Sequence, residues 1–180
     1  MSHIDDARPF IPVRIAVLTV SDSRTPEDDR SGDTLAERID RAGHVLAERA
    51  IVTDDEPDII DRLHGWINDP AVDAVISTGG TGLTGRDVTV EAHRQVYDKE
   101  IGAFAILFTQ ISHAKIGTSA VQSRACAGVA GGTYLFALPG SPSACRDAWD
   151  EILEPQLDSR HRPCNFVEIM PRLEERLRRK

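Results

Sequence analysis

The densest chemistry in this chain lies in Ser77-Thr78-Gly79-Gly80-Thr81-Gly82-Leu83-Thr84-Gly85-Arg86-Asp87-Val88-Thr89. Four glycines fall within seven residues, and threonines at 78, 81, 84 and 89 add hydroxyl donors. Glycine reaches positive φ without a Cβ penalty and lets a ligand approach bare backbone N–H groups. Gly82 is expected either at positive φ or against the ligand. A short apolar strand, this loop and a helix start at Val88-Thr89 together suit a phosphate. The Asp87 carboxylate would repel phosphates unless it holds Mg²⁺ or hydrogen-bonds another part of the ligand. Two familiar glycine motifs do not fit. Gly80-x-Gly82-x-x-Gly85 matches the dinucleotide fingerprint in form, but the next apolar stretch, 101–111, reads as helix, with no strand ending in an acid. A Walker loop needs Gly-Lys-Ser/Thr, where this chain has Gly85-Arg86-Asp87.

Three further loops hold polar residues that could join this one: Ser21-Asp22-Ser23-Arg24, Asp54-Asp55-Glu56 and Pro139-Gly140-Ser141. They could supply carboxylates for a metal, N–H and hydroxyl groups for phosphates, and arginines. Each also has a plain structural reading, with Asp54, Asp55 and Ser141 as helix caps and Asp22 as a turn former. Arg86, Arg24 and Lys115 are the candidate cations. No two histidines stand three or four residues apart, and the three cysteines have neither zinc nor disulfide spacing. Chemistry here would run by positioning and electrostatics, as phosphoryl and nucleotidyl transfers can.

Apolar runs at 14–20, 45–52, 72–78 and 133–138 are the strands that must present these loops, with 45–52 nearer an edge. Between them, the 3.6-residue period predicts helices from a Ser31 N-cap to Ala42, over 57–67, 90–97, 101–111 and 121–127, and from Ser143 to Leu153, where Pro155 would block continuation. Strands alternating with helices imply parallel crossovers, hence an open α/β sheet with helices on both faces. All four loaded loops then lie at the carboxyl edge of the sheet, where ligands bind. Residues 1–180 read as a single domain with a disordered or surface-draped arm over about 1–12 and an extension over about 167–180. Residues 172–180 are expected to form a solvated helix.

A net charge of −8 argues against a nucleic-acid platform, and no apolar run approaches the roughly 18 residues that would span a bilayer. The N-terminus has neither the basic start nor the apolar stretch of a signal peptide. A cytoplasmic protein with free thiols is expected.

The glycine-loop segment with its Arg86-Asp87-Val88-Thr89 ending, and a later Leu138-Pro139-Gly140, resembles the molybdopterin-binding family of MoaB and Mog in molybdenum cofactor biosynthesis. Ile116-Gly117-Thr118-Ser119, Gln122-Ser123-Arg124-Ala125 and Arg162-Pro163-Cys164-Asn165-Phe166 are similar to the MoaB branch in particular. The resemblance implies a three-layer α/β/α fold with an open, mostly parallel sheet. It also implies adenylylation of molybdopterin with Mg-ATP and release of pyrophosphate, in a homotrimer or homohexamer that passes product to a MoeA-like insertase. The family's two essential acids fall on Asp87 and on Asp54, with Asp55 one residue away as the alternative. Asp54 would be the Mg²⁺ ligand. Ser21, Asp22, Thr78, Gly79, Gly80, Thr81, Gly82, Arg86, Pro139, Gly140 and Ser141 would contact substrates. A non-catalytic carrier of the same pterin is the competing reading, and a nicotinamide-dependent oxidoreductase rests on the glycine fingerprint alone.

Overall fold

The computed structural model describes residues 3–175. In chain order it contains β1 (His3–Ile4), β2 (Arg14–Val20), α1 (Arg30–Arg41), β3 (Val45–Val52), α2 (Glu56–Ile67), β4 (Ala74–Thr78), α3 (Thr89–Val96) and β5 (Lys99–Glu100). There follow α4 (Gly102–Ile116), β6 (Cys126–Ala130), β7 (Thr133–Leu138), α5 (Pro142–Ala148), α6 (Glu154–Leu157), β8 (His161–Arg162) and α7 (Phe166–Ile169). The main sheet has the order β3-β2-β4-β7-β6-β5. Its first four strands are parallel, and β6 and β5 are antiparallel additions. This is the expected three-layer α/β/α arrangement.

Alternation along the strands explains the layers, because successive side chains leave opposite faces of a sheet. Ile15 and Val17 face one core, shared with Leu35 and Ile39 of α1, Phe104 and Phe108 of α4, and Trp149. Ala16, Leu18 and Val20 face the other, against Ile59, Leu63 and Trp66 of α2 and Ala92 of α3. β4 is buried along its whole length, as a strand covered on both sides must be, whereas β3 is the exposed edge.

Several elements depart from the sequence expectation. The cap of α1 is Asp29, whose carboxylate accepts from Gly32 N, and Ser31 lies inside the helix. The stretch 121–127 is not a helix: Gly117–Gln122 is a 3₁₀ turn and Cys126–Ala130 is a strand. Its alanines suit a helix in isolation, but Gly128 leaves space for the Tyr97 ring, which would lie 2.4 Å from a Cβ there. Gly131 and Gly132, at φ +54° and +93°, then fold the chain back into β7. Pro155 does not end the helix after β7 either. A π-helical segment, Trp149–Leu153, widens the backbone just before it and places the ring in the first turn of α6, where no N–H is required.

Neither terminus is loose within the described residues. β1 pairs with β8, Ser159 Oγ bridges Ile11 N and Pro9 O, and Phe10 packs on His44 and beneath the Arg160 guanidinium. Val167, Phe166, Met170 and Leu173 pack into or against the first core. The expected basic helix over 172–180 is represented only by turns through Glu175, and 176–180 lie outside the described residues. Among the described residues, no helix is long and apolar enough to cross a membrane.

The second core hides a polar chain. His93 is fully buried, with Nε2 2.8 Å from Ser77 Oγ and Nδ1 3.1 Å from Tyr97 OH. Burial pushes His93 down from 6.5 to about 3, so the ring is neutral in the fold. His44, which accepts a hydrogen bond from Val13 N through Nδ1, is lowered by the same cause. The unfolded chain therefore binds more protons below the ordinary histidine pKa. Stability should be full above pH 6.5 and fall on acidification towards pH 3, by up to about 1.4 kcal/mol per pH unit for each neutral histidine. Urea midpoints measured from pH 7.5 to 4.5 test this, and a flat profile would show that His93 is protonated in the fold.

Candidate functional site

Parallel pairing of β3, β2, β4 and β7 delivers the four polar loops to one edge of the sheet, as the sequence pattern required. Gly79 and Gly80 follow β4 at φ +98° and +63°. A Cβ on Gly79 would lie 2.2 Å from Val20 O, and one on Gly80 would lie 2.4 Å from Thr89 Oγ1 and 2.9 Å from Asp54 Oδ1. Gly140, after β7, comes within 3.1 Å of Gly79 Cα measured from its own ideal Cβ position. Bare backbone therefore packs on bare backbone here, and the loops after β2, β3, β4 and β7 meet. Gly82 is different. It has no positive φ, and its restriction is the Asp87 carboxylate, 2.7 Å from a Cβ there.

The acids form a linked set. Asp22 N donates to Asp54 Oδ2 at 2.9 Å, and Asp54 N donates to Asp22 Oδ1 at 3.0 Å. Arg86 reaches across from the glycine loop, with Nε donating to Asp22 Oδ2 at 3.1 Å. The hydrogen bond from Arg86, followed by the Asp54 N–H, holds the Asp22 carboxyl below its ordinary pKa. Asp54 behaves oppositely: partial burial pushes its carboxyl up, and the charges of Asp22 and Asp87 push the same way. Asp87 is lowered, first by the Thr84 hydroxyl, which donates to Oδ2 at 2.7 Å, and also by the Thr84 and Gly82 N–H groups. Asp54 is half-buried and faces Gly80, while Asp55 is exposed at the N-cap position of α2 with no side-chain capping bond. Of the two, Asp54 is the one turned to the glycine loop.

A cavity of about 280 Å³ lies over this edge, lined by Ser21, Arg24, Asp54, Gly79, Gly80 and Gly140 among others. Two hydroxyls read as ligand donors are spent inside the protein, and a third is buried. Thr78 Oγ1 donates to Pro139 O, Thr89 Oγ1 donates to Gly79 O, and Thr81 is buried. Ser141 Oγ caps α5 by accepting from Ala144 N, and Ser21 Oγ accepts from Ser23 N and Arg24 N, contacts that orient both hydroxyls without using their protons. Lys115 takes no part in the cluster, because its ammonium is paired with Asp147 and Glu151. Ser77 and His93 do touch, but both are sealed in the core and cannot reach a ligand in this cavity. Among the described residues, no group of three His, Cys, Asp or Glu side chains could hold a metal by itself.

Two residues matter here in ways the sequence pattern did not reveal. Asp29 is buried beneath the cavity, where it takes the Thr19 hydroxyl, Gly32 N and the Arg49 guanidinium. Arg124, just before β6, donates through Nε to Thr81 O and Gly82 O, each at 3.0 Å, and through Nη2 to Asp87 O at 3.1 Å. Glu91 of α3 pairs with the same guanidinium. One side chain thus ties three carbonyls of the glycine loop together. The only signal for it was the Gln122-Ser123-Arg124-Ala125 wording, which carried no role of its own.

Arg124→Ala should cost about 1–3 kcal/mol of stability, since it strips those carbonyls of their donors and Glu91 of its partner. Backbone amides over 82–87 should then exchange with deuterium faster than in the parent protein. Unchanged exchange there would mean that the loop is held by its own contacts alone.

The whole of this edge falls within one family signature: a family model described as "Probable molybdopterin binding domain" matches residues 16–159. The chain is 49% identical over 157 residues to molybdenum cofactor biosynthesis protein B of Escherichia coli (strain K12), covering 87% of this chain and 92% of that protein. It superposes on a crystal structure of a molybdenum cofactor biosynthesis protein B with a TM-score of 0.84 and 38% identity, over 93% of this chain and 99% of the other. The tungsten cofactor synthesizing protein MoaB from Pyrococcus furiosus gives a TM-score of 0.70 and 32% identity, over 79% and 91%. With a family model over most of its length and relatives this similar in sequence and fold, the chain belongs to the molybdopterin-binding family of molybdenum cofactor biosynthesis proteins.

Proposed function

We propose that this protein adenylylates molybdopterin with Mg-ATP. The observation that carries the reading is the placing of Asp54 and Asp87 on either side of a glycine loop that leaves room for phosphate. A protein that only carried a pterin phosphate would gain nothing from two carboxylates beside a polyanion. In the reaction, an oxygen of the pterin's terminal phosphate attacks the α-phosphorus of ATP. The bond from that phosphorus to the bridging oxygen breaks, and pyrophosphate leaves with the electron pair.

The chain's own residues supply positioning and charge. The glycines let phosphate approach the backbone around Gly80. Arg86, now paired with Asp22, has a guanidinium that can turn to developing phosphate charge. Ser21, Asp22, Pro139 and Gly140 frame the remaining edge. Mg²⁺ fits the donor set, because this ion binds through one or two carboxylates plus substrate phosphates and keeps its waters. Asp54 would hold it, its Oδ2 already fixed by Asp22 N and its Oδ1 turned to the glycine loop. When bound, the ion neutralises phosphate charge and polarises the attacked phosphoryl group.

The same reading carries a cytoplasmic location and delivery of the product to a MoeA-like insertase. It also carries a homotrimer or homohexamer, supported by the apolar outer face around α4, where Ile106, Leu107, Ile116 and Val121 are exposed.

Asp87→Asn should fold normally, because the amide oxygen can still accept from Thr84, while transfer falls by roughly 10²-fold or more. Asp54→Asn should act similarly and Asp55→Asn should have little effect. Mass detection of adenylylated pterin measures all three. Full turnover by a folded Asp87→Asn protein would overturn the assignment of Asp87, whereas pterin binding by the parent protein with no adenylylated product would favour a carrier.

Pyrophosphate release should vanish in EDTA and return with Mg²⁺, while pterin binding without ATP should survive chelation. A metal titration read against a metal-free binding curve decides it. Activity retained in EDTA would remove the ion from the scheme.

A further inference from the structure

The outer part of the glycine loop is exposed. Leu83, Thr84, Gly85 and Arg86 form a turn that closes on itself, with Asp87 N donating to Thr84 O at 3.0 Å and Thr84 N donating to Asp87 Oδ2 at 2.8 Å. These local bonds fix the Asp87 carboxylate relative to the turn. They do not fix the turn relative to the sheet. Thr89 grips the loop at Gly79 O and Gly80 O, before the turn begins. Arg86 ties the turn to Asp22, but in the proposed reaction phosphate competes for that guanidinium.

Arg124 bridges the two feet of the turn. Thr81 O and Gly82 O stand at one foot and accept from Nε, each at 3.0 Å, while Asp87 O stands at the other and accepts from Nη2 at 3.1 Å. The far edge of the same planar group belongs to Glu91, with Nη2 donating to Oε2 at 3.1 Å and Nη1 donating to Oε1. Glu91 lies in the first turn of α3, where the helix dipole favours its charge. The guanidinium is therefore anchored to a helix on one side and spans the turn on the other. Four of its five N–H groups are taken by these contacts, which leaves little for a ligand. A lysine ammonium is a point charge and cannot span both feet as this planar fork does.

We infer that Arg124 is a positioning residue for Asp87, setting where that carboxylate stands beside the glycine loop without touching substrate. The inference rests on the proposed catalytic role of Asp87.

Turnover of the full chain at saturating ATP and molybdopterin, measured as a double-mutant cycle, provides the test. Arg124→Lys keeps a charge opposite Glu91 but releases one foot of the turn. It should lower turnover on the order of tenfold or more, the scale of a small misplacement at a reacting centre. Molybdopterin binding should stay within about twofold of the parent. In the Asp87→Asn background the same substitution should change turnover by less than about twofold, because no carboxylate is left to misplace. A role in stability alone would leave the turnover of folded protein unchanged in both backgrounds. Losses that multiply across the cycle, or folded Arg124→Lys protein as active as the parent, would overturn the inference. So would a loss carried by weaker pterin binding, which would put Arg124 in the ligand cradle instead. A parent protein that forms no adenylylated pterin would overturn the proposed reaction, and the positioning role with it. If Arg124→Lys does not fold, Glu91→Gln, which loosens the fork from α3, takes its place in the cycle. A loss of about threefold or more is then expected only where Asp87 is present.

Discussion

Where β2 and β4 leave the sheet, the backbone of Gly79 lies so close to the Val20 carbonyl that a Cβ there would sit 2.2 Å from the oxygen. Gly140 presses on Gly79 from the far side, and Gly80 leaves only enough room for Thr89 and Asp54. Without this close approach, the loops after four parallel strands would stand apart, each with a few polar residues and no shared ligand. With it, carboxylates separated by 32 and 33 positions in the chain occupy one small edge. Thr89 Oγ1 and N then bind Gly79 O and Gly80 O, so α3 is docked by the loop that precedes it. Arg124 fastens the same loop from the antiparallel side of the sheet.

Charge on this edge is divided unequally, and the division follows contact rather than residue type. Three aspartates lie close together, yet Arg86 and a backbone N–H satisfy Asp22, and Thr84 satisfies Asp87. Asp54 is left half-buried with like charges beside it, and its carboxyl is the one pushed upward. A cation bridging to phosphate would relieve Asp54 most. In the proposed reaction a polyanion over the loop would compete directly with Asp22 for the Arg86 guanidinium. The rest of the protein supplies a rigid base, including a neutral Ser77–His93–Tyr97 chain that satisfies buried polar groups directly beneath β4.

Much of this was legible in the sequence. Continuous apolar runs of strand length, alternating with amphipathic helices, admit few arrangements other than a parallel sheet covered on both faces. The glycine density with Arg86-Asp87 attached marked the loop, and parallel pairing alone predicted which loops would meet it. Local signals failed where a distant contact outweighed them. Alanines at 125 and 127 suggest a helix, but the Tyr97 ring over Gly128 and the pairing with β7 make a strand. Ser31 is a good cap by type, yet Asp29 holds that place because Thr19 and Arg49 also need its carboxylate.

The amino-acid sequence by itself determined the layer order, the edge that carries the chemistry and the residue types gathered there, since periodicity and glycine placement are local properties. Only the tertiary structure decided what each of those residues is free to do. Thr78 looks like a ligand donor until Pro139 O is seen to take its proton, whereas Ser141 accepts from Ala144 N and keeps its own. Lys115 looks like a cation for the site until Asp147 claims it. Arg124 has no visible role until three loop carbonyls surround its guanidinium. A hydrogen-bonding group has few partners to give, and the sequence does not record which partner reaches it first.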